Sequence, residues 1–118
     1  MFKRIDTVFL DVKNIKKSLD WYTETLGLES GWKDIESGYA SLKLGETALT
    51  LRECRETVFK ASDAPHFNFY VSEVQQIYDQ LKEKGVSVGT LEIDHGVTWF
   101  NFKDIDGNML EVCSFKET

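Results

Sequence analysis

One proline in 118 residues, two cysteines and no long apolar run set the first limits on this chain. No stretch approaches the roughly 20 apolar residues that span a bilayer, so a membrane partner is not expected. Two cysteines, Cys54 and Cys113, cannot build a disulfide framework. Reduced thiols and a cytoplasmic location are therefore the expectation. The opening residues, Met1-Phe2-Lys3-Arg4-Ile5-Asp6, lack the apolar stretch of a signal peptide. Positive charge is scarce: 14 Lys and Arg against 20 Asp and Glu leave a formal net charge of −6. Nucleic acid is not an expected partner either, because phosphate neutralisation needs clustered Lys and Arg. The chain also has no Ser-His-Asp elbow, phosphate loop or dinucleotide fingerprint.

What is present is globular. Hydrophobic residues make up 42% and charged residues 29% of the chain. A chain of this length forms one domain, spanning 1–118, that buries roughly 65% of its unfolded surface. Within it lies a repeat. Thr7-Val8-Phe9-Leu10-Asp11-Val12 aligns with His66-Phe67-Asn68-Phe69-Tyr70-Val71, and the second, fourth and sixth residues of both are apolar. That alternation predicts a strand with one buried face. The other face, Thr7, Phe9 and Asp11 or His66, Asn68 and Tyr70, is not ordinary core.

A helix follows each strand. In the first copy Asn14 is the expected N-cap; Ile15, Leu19, Tyr22 and Leu26 form the apolar stripe, and Gly27 the stop. In the second, Ser72 and Gln75 have capping-box spacing, Val74, Ile77 and Leu81 form the stripe, and Gly85 ends it. Three strands are then predicted in each copy, at 29–36, 39–44 and 47–53, and at 86–93, 97–103 and 109–115. The stretch from Cys54 to Pro65 reads as a linker between module one, 1–56, and module two, 64–118.

The pattern is thus β-α-β-β-β twice, an α+β chain of two paired modules whose curved mixed sheet has helices on one face and a cup-shaped cavity on the other. The expected helix-facing core is Val8, Leu10, Val12, Leu42, Leu49, Phe67, Phe69, Phe100, Phe102 and Val112. Opposite parity gathers Tyr39, Thr50 and Arg52 in one copy and Trp99, Asn101, Glu111 and Cys113 in the other. Polar, aromatic and sulfur-bearing groups on one concave face are the material of a small-molecule pocket.

Two motifs carry a family resemblance. Ser18-Leu19-Asp20-Trp21-Tyr22-Thr23-Glu24-Thr25-Leu26-Gly27-Leu28 resembles the first-helix motif of the vicinal oxygen chelate superfamily, which includes glyoxalase I, bleomycin-resistance proteins and extradiol dioxygenases. Asp104-Ile105-Asp106-Gly107-Asn108-Met109-Leu110-Glu111-Val112 resembles its final hairpin, with isoleucine where proline is usual. The resemblance covers essentially the whole chain and implies a homodimer. It places the metal-holding positions of metal-dependent members at Thr7, Thr50, His66 and Glu111. His66 and Glu111 match that pattern and are the metal candidates. Threonine hydroxyls are poor ligands for zinc, nickel or iron, so Thr7 and Thr50 do not.

The expected function is therefore binding of a small, partly aromatic or anionic molecule in the cup, with no cofactor and no tightly held metal, as in the bleomycin-resistance members. The ligand-binding candidates are Thr7, Phe9, Tyr39, Thr50, Arg52, Asn68, Tyr70, Trp99, Asn101 and Cys113. The alternative is a metal-dependent lyase, isomerase or oxygenase of glyoxalase or dioxygenase type, with a divalent metal and His66 and Glu111 as catalytic residues. A metal-free isomerase with Glu111 as base is a third possibility. Glu111, set between Leu110 and Val112, needs a partner if buried; His66 and Arg52 are the candidates. His95, beside Gly96, reads as a turn residue.

Overall fold

A computed structural model describes residues 1–56 and 58–117. The chain forms two compact units, Met1–Lys60 and Ala61–Thr118. Module one runs β1 (Thr7–Val12), α1 (Ile15–Glu24), β2 (Glu29–Asp34), β3 (Tyr39–Lys43) and β4 (Ala48–Glu53). Module two runs β5 (Asn68–Tyr70), α2 (Val74–Glu83), β6 (Glu92–Asp94), β7 (Val97–Lys103) and β8 (Met109–Ser114). Each has one four-stranded mixed sheet, ordered β1-β4-β3-β2 and β5-β8-β7-β6. The first strand pairs parallel with the last, and the other pairs are antiparallel. The α+β reading with two βαβββ modules therefore stands.

Alternation sets which face is core. Leu10, Val12, Ala40, Leu42, Leu49 and Leu51 of module one are buried, with Ile15, Leu19 and Tyr22 of α1. In module two Phe100, Phe102, Leu110 and Val112 are buried with Leu81 of α2. Three members of the expected core, Val8, Phe67 and Phe69, are only half-buried. They lie on or beside β1 and β5, each at the end of its sheet order with a neighbour on one side within the sheet.

The first helix starts as expected: the Asn14 side chain accepts from the Lys17 amide at 2.9 Å. A second acceptor was not foreseen, for Glu53 Oε2 takes the Ile15 N–H at 2.9 Å. The second helix departs from expectation. Glu73, not Ser72, holds the N-cap position and makes no side-chain cap bond. Gln75 donates to Asp79 at 3.0 Å, one turn along the helix, so the capping box does not form. Its C-terminus closes as a Schellman motif, with Val86 N–H on the Leu81 carbonyl and Gly85 N–H on that of Lys82.

Two predicted strands are shorter. The 66–71 strand is ordered as ladder only over Asn68–Tyr70. The 86–93 strand splits. Ser87 and Gly89 bond to Lys103 and Asn101, while Glu92–Asp94 pairs farther along β7. At Gly89 a Cβ would sit 3.4 Å from the Asn101 carbonyl, so the two backbones approach closely there. The β6–β7 hairpin turns through His95 and Gly96 at φ 49° and 78°. Left-handed values at both central residues are those of a type I′ turn.

The Asp104–Asn108 segment is a hydrogen-bonded clamp. Asp104 Oδ1 accepts from the Asp106 and Asn108 amides, both at 2.9 Å, and Oδ2 from Asn108 Nδ2 at 3.0 Å. Asn108 Oδ1 then takes the Ser62 N–H at 2.9 Å. Asp104 and Asn108 are buried, and their polar atoms satisfy one another. The clamp draws Ser62 into module two, while Lys13 stacks on Phe59 in module one at 5.6 Å. The linker is thereby shortened from both sides.

Candidate functional site

Each sheet presents a concavity. In module one it measures about 450 Å³ and is lined by Asp6, Thr7, Phe9, Trp32, Tyr39, Ser41, Ala48 and Thr50. Thr7, Phe9, Tyr39 and Thr50, all expected ligand contacts, thus share one hollow. The two threonine hydroxyls lie 2.7 Å apart, and Thr7 also donates to the Ala48 carbonyl at 2.9 Å. Arg52 does not line it. Its Nε bonds Asp11 at 2.9 Å across the β1–β4 register, and its guanidinium lies 5.0 Å from the Phe9 ring centre.

Trp32 is a wall that strand parity did not assign. Ser30 pairs with Leu42 but Lys33 with Ala40, so β2 holds one extra residue at a bulge. The bulge re-aims the side chains beyond it. Ser41 Oγ spans it, donating to the Trp32 carbonyl at 3.0 Å. Gly31 beside it gives the one sequence signal, since a Cβ there would lie 2.7 Å from Ser41 Oγ.

In module two the concavity measures about 390 Å³, with Asn68, Asp94, His95, Val97, Trp99, Glu111, Cys113 and Phe115 around it. Asn68, Trp99 and Cys113 are expected ligand contacts, and Glu111 is the metal and catalytic candidate. Glu111 is half-buried and takes its hydrogen bond from Asn68 Nδ2 at 2.9 Å, its ladder partner. Neither His66 nor Arg52 is that partner. Burial, aided by the Glu111 charge, pushes the Cys113 thiol up, which disfavours the reactive thiolate. His95 joins the rim through its turn and bonds Asp94 at 2.6 Å.

The remaining candidates lie elsewhere. His66 is exposed, ahead of the ladder of β5. Tyr70 donates its hydroxyl to the Phe115 carbonyl at 3.1 Å and meets the Phe115 ring edge-on. Burial raises the Tyr70 phenol, with help from Glu117 and Cys113. Asn101 donates to Met109 Sδ at 3.6 Å, and its Oδ1 is buried without a hydrogen-bond partner among the described residues.

A divalent metal does not fit this donor set. The module-one positions offer two neutral hydroxyls already bonded to each other. In module two Glu111 is engaged by a neutral amide and His66 is exposed. Among the described residues no three His, Cys, Asp or Glu side chains are grouped to hold an ion.

A strand-helix-three-strand unit built twice, with a concavity on each sheet, defines a class. The model of the Glyoxalase/Bleomycin resistance protein/Dioxygenase superfamily matches residues 4–112, and the chain belongs to that superfamily. It is similar to the Bacillus subtilis (strain 168) protein YraH, itself uncharacterised, at 31% identity over 86% of this chain and 90% of that one. Among solved structures it resembles integron cassette protein HFX_CASS4 from the mobile metagenome of the Halifax Harbour sewage outfall. There the TM-score is 0.81 at 29% identity, over 97% of this chain and all of the other. TnmS3, an antibiotic binding protein from Streptomyces sp. CB03234, shares the fold at TM-score 0.84 and 19% identity, over 98% of each chain. Among the described residues no helix is long and apolar enough to cross a membrane.

Proposed function

We propose that the protein binds a small organic molecule on its sheet concavities and has neither a resident cofactor nor a tightly held metal. The observation that carries this is the Thr7–Thr50 hydroxyl pair, at 2.7 Å, on two of the four positions where metal-dependent relatives need strong donors. Around that pair stand Phe9, Trp32 and Tyr39, aromatic walls suited to a flat apolar body. The antibiotic-binding role of TnmS3, a protein of the same fold, supports the reading. The protein acts as a cytoplasmic homodimer, with no nucleic-acid or membrane partner. The rival is an enzyme of the superfamily in which His66 and Glu111 complete a metal site or Glu111 serves as base.

The test is a thermal-shift screen of aromatic natural products alongside zinc, nickel, manganese and ferrous ions, with elemental analysis of protein purified without chelator. The expected result is stabilisation by organic compounds alone. Trp99→Ala or Trp32→Ala should then weaken a hit by roughly 5- to 150-fold. Stoichiometric metal that is lost in His66→Ala or Glu111→Ala would overturn this reading in favour of the enzyme.

A further inference from the structure

Resting on the small-molecule reading, the geometry points to an organic cation with an aromatic body as the ligand of the module-two concavity, its quaternary or protonated nitrogen set against Glu111 and the face of Trp99. The sign of the lining comes first. Asp94 and Glu111 are its two carboxylates, and none of the lining side chains is Lys or Arg. Asp94 already has a partner in His95 Nδ1, at 2.6 Å. Glu111 has none of that kind: its hydrogen bond comes from a neutral amide, and among the described residues no Lys, Arg or His lies in ion-pair contact with it.

A half-buried carboxylate without a counter-charge is poorly solvated. Asn68 fixes one of its oxygens at 2.9 Å and leaves its negative charge uncancelled. That field reaches the neighbouring Cys113 thiol, whose ionisation it opposes. An incoming ammonium supplies the missing charge, whereas an anion meets repulsion.

The walls suit the same ligand. Trp99 pairs with Cys113 across β7 and β8, two register positions from the Asn101–Glu111 pair and on the same face. Phe115, also in the lining, is held by Tyr70 through an edge-on contact of 4.9 Å and through its own carbonyl. Aromatic faces beside a carboxylate are how proteins hold quaternary ammonium groups. The position that would ligate a metal in other members thus carries a charge-recognition role here. An anionic ligand, admitted by the sequence, loses its support because Arg52 is committed to Asp11.

The experiment titrates the full chain with N-methylacridinium, neutral acridine and acridine-9-carboxylate at pH 7. Tryptophan quenching gives the affinities. Wild type should prefer the cation over acridine by about tenfold or more. Glu111→Gln, nearly isosteric, should erase that preference and leave acridine affinity within about threefold. Asp79→Asn, on the exposed face of α2 and outside both concavities, should keep the preference. Circular dichroism verifies that each variant is folded, and Asn68→Ala, which frees Glu111 without removing its charge, provides a second test by retaining a preference for the cation. Equal or tighter binding of the neutral or anionic probe overturns the cation assignment while leaving small-molecule binding intact. A preference that survives in folded Glu111→Gln also overturns it. Binding of none of the three probes counts against both readings.

Discussion

The two modules share a strand order and differ in what holds each together. Module one has a six-residue first strand and a helix whose N-terminus is capped by Asn14 and braced by Glu53. Module two has a three-residue first strand and a helix with no side-chain cap bond. It relies instead on the buried Asp104–Asn108 clamp. One topology tolerates different local fastenings because burial of the alternating apolar face is common to both, whereas capping is worth only about 1 kcal/mol.

The strongest way to break the comparison is in the core. Phe102→Ala should cost about 3–5 kcal/mol in chemical denaturation, since that ring is 2% exposed. Phe69→Ala, on the half-buried edge strand, should cost less, about 1–2 kcal/mol. Equal costs would show that β5 is as well packed as β7. Next comes the clamp. Asn108→Ala removes one donor to Asp104 Oδ2 and the side-chain acceptor of the Ser62 amide, and about 2–3 kcal/mol should be lost.

The caps give smaller effects. Asn14→Ala should lower stability by about 1 kcal/mol, while Ser72→Ala should stay within about 0.5 kcal/mol of wild type. A comparable loss at both would restore the capping box at Ser72. The smallest effect is in pH. The Ile15 amide, and then Arg55, hold the Glu53 carboxyl below its ordinary value. A depressed carboxyl contributes stability above its unfolded pKa and loses it as pH falls through the folded one. Thermal melts from pH 7 downward should therefore show an acid limb below the usual glutamate range that is shallower in Glu53→Gln.

Much of this was legible in the chain itself. Strict alternation in Trp99-Phe100-Asn101-Phe102 fixed which side chains share a face, and the Asp104–Asn108 motif marked the final hairpin. Parity also put Thr7, Phe9, Tyr39 and Thr50 on one face and Asn68, Trp99, Glu111 and Cys113 on another. What escaped was anything that depends on counting partners across a ladder. The bulge that brings Trp32 to the concavity and the break at Gly89 change register without changing local composition. Arg52 and Tyr70 alternate correctly, yet each finds a partner beyond its own strand, in Asp11 and Phe115. Alternation gives a side chain's direction but not its bonding.

The paired threonines have a directional consequence. A hydroxyl has one proton and two lone pairs. With Thr7 donating to the Ala48 carbonyl, the proton between the hydroxyls belongs to Thr50, so the chain of O–H bonds runs from Thr50 through Thr7 to the backbone. In that arrangement both protons are spent inside the protein, and Thr50, buried at the floor of the hollow, offers it lone pairs alone. At this floor the protein is a pure acceptor, and a molecule that settles on it must supply the hydrogen.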